Sequence, residues 1–157
     1  MYADNTLTPK EAIRLCALGT LALGPRHYAA LANAVRHFTG HMLGPSLDLM
    51  GTSIELLKYE GLIESVDADG ADDEAKIRIT ASGRTELRTL LTAGLRSGAA
   101  ELNKLLVALK FRFLHLLDAE DRIAQIDLLI ELCENELARL DDLRHFHAGD
   151  DGFVVDW

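Results

Sequence analysis

The sequence predicts a mainly α-helical chain with one small β-hairpin, and three observations carry the prediction. First, Leu47, Met50, Ile54 and Leu57 recur at helical spacing behind Ser46, whose hydroxyl can accept from an orphan N–H of the first turn. Second, Leu62, Ile63 and Val66, then Ala75-Lys76-Ile77-Arg78-Ile79, alternate as two half-buried strands, with the polar loop 67–74 between them. Third, residues beyond 98 are rich in leucine and isoleucine at helical spacing. Two shorter helices precede the central one. Helix, helix, helix and hairpin in that order describe a winged helix-turn-helix. Residues 1–97 are expected to form that domain, and residues 98–157 a helical dimerisation region with an acidic tail.

The first helix is expected from Thr8-Pro9, a capping residue followed by proline at the first helical position. Ile13, Cys16, Ala17, Leu21 and Leu23 make its apolar face, and Gly24-Pro25 ends it. A second helix is expected over about Arg26 to Phe38, with Tyr28, Leu31, Val35 and Phe38 inward and Thr39-Gly40-His41 closing it. Gly61 follows the central helix, where a left-handed C-cap suits glycine. Past the hairpin, a fourth helix is expected from Ser82 or Gly83 to Ser97, and a fifth from Ala99 to Leu117. Asp118, with Asp121 three residues on, can cap the last helix. There Ile123, Ile126, Ile130, Cys133, Leu137 and Leu140 are spaced as a helix packing along a partner helix requires. Leu128, Leu129, Leu132 and Leu143 widen that stripe, so the helix carries two apolar faces and is read as the homodimer element.

Charge narrows the functional classes. The 157 residues carry a net charge of −9, unevenly spread. Residues 1–96 hold 10 Lys/Arg against 12 Asp/Glu, whereas 97–157 hold 6 against 13. The first part is therefore close to neutral, and no broad attraction to anionic membranes or nucleic acid follows from composition. No segment has the roughly 20 uninterrupted apolar residues of a membrane span, and the N-terminus shows no signal-peptide pattern. A cytoplasmic location is expected. Cys16 and Cys133 both fall in apolar helical patterns and read as free thiols.

No nucleophile elbow, phosphate loop or paired carboxylates point to an enzyme. The six histidines lack metal-ligand spacing, so neither metal nor cofactor is expected. Leu109, Phe111, Phe113 and Ile123, with Arg112 or His115 as polar anchor, have the chemistry to wall a pocket for a small aromatic effector. Core and dimer seam is the preferred reading of the same residues.

Four stretches resemble the PadR-type transcriptional regulators: Leu-Ala-Leu-Gly-Pro-Arg-His27, Leu57-Lys-Tyr-Glu-Gly-Leu-Ile63, Ile79-Thr-Ala-Ser-Gly-Arg84 and Phe113-Leu-His-Leu-Leu-Asp-Ala-Glu-Asp-Arg122. The resemblance implies a homodimeric repressor whose C-terminal helices pair and whose third helix enters the major groove of double-stranded DNA. It carries over to His27 and to the neighbourhoods of Thr52 and Lys58. The family's helix-two tyrosine is displaced to Tyr28, and its helix-three tyrosine is replaced by Gly51. Phosphate contact needs cations, and Lys76, Arg78 and Arg84, with Arg26 and Arg36, are placed to supply them. Ser46 and Ser53 complete the expected DNA contacts. Asp67, Asp69, Asp72, Asp73 and Glu74 at the wing tip oppose them. The alternative reading is therefore a winged-helix protein that binds another protein or imitates nucleic acid.

Overall fold

The computed structural model describes residues 7–43, 47–66, 76–95 and 100–148, with the side chains of 41–43, 47–52, 100, 147 and 148 outside that description. Ser46, the wing tip 67–74 and the tail 149–157 also lie outside it. Two compact units divide at Asp118 and Ala119.

In the first unit α1 (Pro9–Ala22) opens on a reciprocal cap. The Glu11 backbone N–H donates to Thr8 Oγ1 at 3.4 Å, and the Thr8 N–H donates to Glu11 Oε1 at 3.1 Å. Ala12, Ile13, Leu15, Cys16, Ala17, Leu18 and Leu21 are all buried, so this helix is apolar nearly all round. It earns that environment by packing against α2 (Tyr28–Leu43), α3 (Leu47–Tyr59), α4 (Ala81–Thr92) and α5 (Ala100–Phe113). Gly19 is what lets α5 come close. A Cβ there would lie 2.6 Å from the wholly buried Phe113 ring.

The sheet is larger than a hairpin. Besides β2 (Ile63–Ser65) and β3 (Lys76–Ile79), Arg26 and His27 form a short strand β1, giving the antiparallel order β1-β3-β2. The expected second helix therefore begins two residues later, at Tyr28, and Arg26 and His27 are ladder residues. It also runs past Thr39-Gly40-His41 to Leu43, and inside it the Thr39 hydroxyl donates to the Val35 carbonyl at 2.7 Å. Leu31 and Val35 are buried, with Tyr28 and Phe38 packed at the edge of the core. Leu23, expected on the apolar face of the first helix, is exposed instead, beyond the last turn.

α3 ends at a left-handed Gly61, φ +75°. There the Leu62 N–H reaches the Leu57 carbonyl and the Gly61 N–H the Lys58 carbonyl, a paired C-cap that turns the chain into β2. Thr80 then joins three elements. Its hydroxyl donates to the Gly61 carbonyl at 2.7 Å and accepts from the Gly83 N–H at 3.0 Å, while its own N–H donates to the Leu62 carbonyl. The helix so capped stops at Thr92, short of the expected Ser97. α5 likewise ends at Phe113 and passes into a 3₁₀ turn, Leu114–Leu116. α5 packs on α1 and α2, and the first unit reaches Asp118.

Lys110 of α5 is 1 % exposed, and its ammonium donates to the Leu91 and Ala93 carbonyls at 2.6 and 2.8 Å. It thus caps the end of α4 from inside the core, where carbonyls at a helix C-terminus favour a cation. Burial nevertheless pushes its pKa down to about 8. Cys16 is pushed the other way, to about 11, first by burial and against the lowering influence of Arg112 and of a hydrogen bond with Thr20.

The second unit is α6 (Ala119–Ala148), about 45 Å of helix at 1.5 Å per residue. Among its described residues only Gln125 and Leu129 are buried. No helix among the described residues is long and apolar enough to cross a membrane.

Candidate nucleic-acid interface

α2 and α3 follow one another and pack together as the helix pair of a winged-helix fold, and β2 follows the end of α3. Ile54 and Leu57 bury the inner face of α3, while Glu55, Leu56, Tyr59 and Glu60 stay exposed on its second half. The end of this helix is held by Arg14 of α1, which ion-pairs with Glu60 and approaches Glu86 of α4 at 4.0 Å. Three elements are thereby clamped around one guanidinium.

Of the expected contact residues, Ser53 lies on the core side of α3 beside Ile54 and is 6 % exposed. Thr52 belongs to α3 but its side chain is outside the described residues, as is all of Ser46. Lys58 is half-buried in the last turn of α3. Tyr28 opens α2 half-buried against the core, which leaves it a partly structural role.

The sheet gathers the others. On β3 the buried Ile77 and Ile79 alternate with the exposed Lys76 and Arg78, so both cations share the solvent face. His27 of β1 pairs in register with Lys76, and Arg26 with Ile77. Glu64 of β2 pairs with Arg78 and takes its Nε at 2.7 Å. Arg84 is exposed in the first turn of α4, apart from the strands. Glu64, Arg14 and Thr80 are participants that sequence reasoning passed over. Two-residue alternation could have flagged Glu64, but its partner depends on strand register.

Of the residues able to wall an aromatic pocket, two are core, as the preferred reading of them has it. Leu109 and Phe113 are fully buried core, and Phe111 is more than half exposed. Arg112 lies over the Phe38 and Phe113 rings, 5.3 and 5.5 Å from their centroids, as a stacked cation. A cavity of about 290 Å³ opens elsewhere in the first unit, over Leu87 and Leu91, with Arg84, Arg88 and Asp118 among its lining residues. Among the described residues no three His, Cys, Asp or Glu side chains converge as a metal site.

A capped first helix, a second and third helix packed together with the third held at its end, and a three-stranded wing with cations on its outer face make up a winged helix-turn-helix. A family model described as "Putative AphA-like transcriptional regulator" matches residues 2–157. The chain belongs to the AphA-like family. The family is one of putative transcriptional regulators. This AphA-like chain is similar to Bacillus subtilis PadR, solved with operator DNA, at 19% identity over 93% of this chain and 80% of that one, TM-score 0.46. It is similar to smu.1604c of Streptococcus mutans at 20% identity over 91% and 81%, TM-score 0.45. A third similar structure is Bordetella bronchiseptica BpsR, whose DNA binding is regulated by 6-hydroxynicotinic acid, at 17% identity over 84% and 83%, TM-score 0.39. No curated protein matches the chain.

Proposed function

We propose that this AphA-like chain is a homodimeric transcriptional repressor of PadR-like arrangement. In this reading α3 enters the major groove of double-stranded DNA, and the outer face of the wing lies along the phosphates. Residues up to 97 supply the DNA contacts, and residues beyond 98 carry the assembly. The observation that carries the DNA reading is the solvent face of β3, where Lys76 and Arg78 stand side by side next to His27. Arg26, Lys58, Arg84 and Thr52 are the further contacts it uses. A salt titration of binding to the DNA upstream of the protein's own gene tests it. Neutralised phosphates release counterions, so log affinity should fall steeply with log salt. A slope near zero, or no binding at low salt, overturns it.

The homodimer rests on α6. Ile123, Ile126, Ile130, Leu137 and Leu140 are between 37 and 66 % exposed in the single chain, and Cys133 on the same row is exposed too. Five large apolar side chains along one stripe of one helix form a continuous patch of the kind that marks an association surface. A second copy of α6 offers the matching stripe.

A second reading is favoured by the end of α3. Tyr59 is 90 % exposed and Leu56 is exposed beside it, flanked by the carboxylates of Glu55 and Glu60. An apolar pair with acidic neighbours suits a protein partner better than a phosphate backbone. The same titration separates the two readings. An effector, if the repressor uses one, fits the cavity over Leu87 and Leu91. A small aromatic acid there would place its carboxylate toward Arg84 or Arg88, and the expected readout is weaker DNA binding in its presence.

A further inference from the structure

Arg78 is the most central cation of the wing, and it is not presented alone. The antiparallel register of β2 and β3 sets Glu64 directly opposite it. Its Nε donates to Glu64 Oε1 at 2.7 Å, with the two side chains 53 and 48 % exposed. The neighbouring Lys76 faces His27 across the other side of the same strand, so the carboxylate engages one of the two β3 cations. A guanidinium holds its donors in a rigid planar fork, and a carboxylate and a phosphate offer that fork similar pairs of oxygens. One of the guanidinium donors open to a phosphate, the Nε–H, is therefore already engaged by a group of the same sign.

We propose that Glu64 is a built-in competitor for DNA, occupying on Arg78 the place that a backbone phosphate takes in the complex. Arg78 then reaches DNA by exchanging one anion for another, and Glu64 sets how readily it does so. The exchange is open to it because the pair is solvated on both sides, and exposed pairs of this kind are weak and salt-sensitive. The inference deepens the DNA-binding reading and rests on it.

The test is a double-mutant cycle on affinity for a random-sequence DNA duplex at low salt, using full-length wild type, Glu64→Gln, Arg78→Ala and the double variant. Both substituted positions are exposed, and circular dichroism with thermal melts checks that each of the four proteins is folded. Glu64→Gln should tighten binding by about two- to fivefold, the range expected for releasing one exposed pair. The gain should shrink as salt rises. In the Arg78→Ala background, the same Glu64→Gln change should bring little or no gain. An equal gain in both backgrounds overturns the proposal, since Glu64 would then act by repulsion at a distance and not through Arg78. No gain in either background overturns it as well, while leaving the DNA-binding reading intact. Failure of both wild type and Glu64→Gln to bind any duplex at low salt overturns the two together.

Discussion

Lys110→Met changes a buried cation into an apolar chain of similar reach, and pH separates what the ammonium costs from what it holds. The ordinary lysine value of 10.5 is lowered to about 8 by burial, a difference of about 3 kcal/mol between the charged and neutral forms. Below pH 8 the amine is protonated whether the chain is folded or not, and the folded state bears that whole penalty. Between pH 8 and 10.5 the unfolded chain still binds the proton that the folded chain has released. Stability from this group therefore rises with pH through that window. By pH 9.5 the rise relative to neutral pH comes to about 2 kcal/mol. Cys16 works in the opposite direction. With its thiol raised to about 11 by burial, the unfolded state loses a proton first, and stability falls as pH climbs from about 9 toward 11. Wild type alone would show the two effects partly cancelled, but the difference between wild type and Lys110→Met removes the Cys16 contribution from both. At pH 7 the substitution also strips a donor from the Leu91 and Ala93 carbonyls, a loss of about 1–3 kcal/mol, offset by relief of the buried charge. Urea unfolding at fixed protein concentration, repeated from pH 7 to 9.5, reads the difference. The variant should fall steadily behind wild type as pH rises. A difference that stays flat across that range refutes the assignment of Lys110 as a desolvated ammonium.

Thr80→Ala removes the α4 cap and the donor to the Gly61 carbonyl together, so urea unfolding should show a loss of about 1–2 kcal/mol. Gly83→Ala would put a Cβ 2.1 Å from the Leu62 carbonyl oxygen and 2.7 Å from Ile79 Cγ1. Since backbone cannot step aside as a side-chain tip does, a loss above about 2 kcal/mol is expected, and a melting temperature equal to wild type would contradict the close packing of α4 on the wing. Ile130→Asp should leave the fold of a single chain nearly unchanged, because Ile130 is exposed there. In a paired α6 it buries an uncompensated carboxylate, which should weaken the dimer by several kcal/mol, about 3 or more. Sedimentation of both proteins checks this, and a monomeric wild type at micromolar concentration refutes the α6 reading.

Local chemistry alone determined much of this molecule. The Thr8-Pro9 start, the left-handed Gly61 and the alternation of β3 are each written within a few consecutive residues, and each recurs in the structure. Such signals are legible because caps, turns and periodic faces depend on near neighbours along the chain. What escaped depends on distant partners. Arg26 and His27 have no strand pattern of their own and become a strand because β3 offers them a backbone edge. Ser53 looks like a polar surface residue until α1 and the sheet set which face of α3 is covered. Lys110 reads as a surface charge until α4 ends above it with two carbonyls to bond. Glu64 and Arg78 are fourteen residues apart and meet through register. Tertiary structure decided these because a side chain's burial and its ionic partner are properties of the elements packed against it, which no local window of sequence contains.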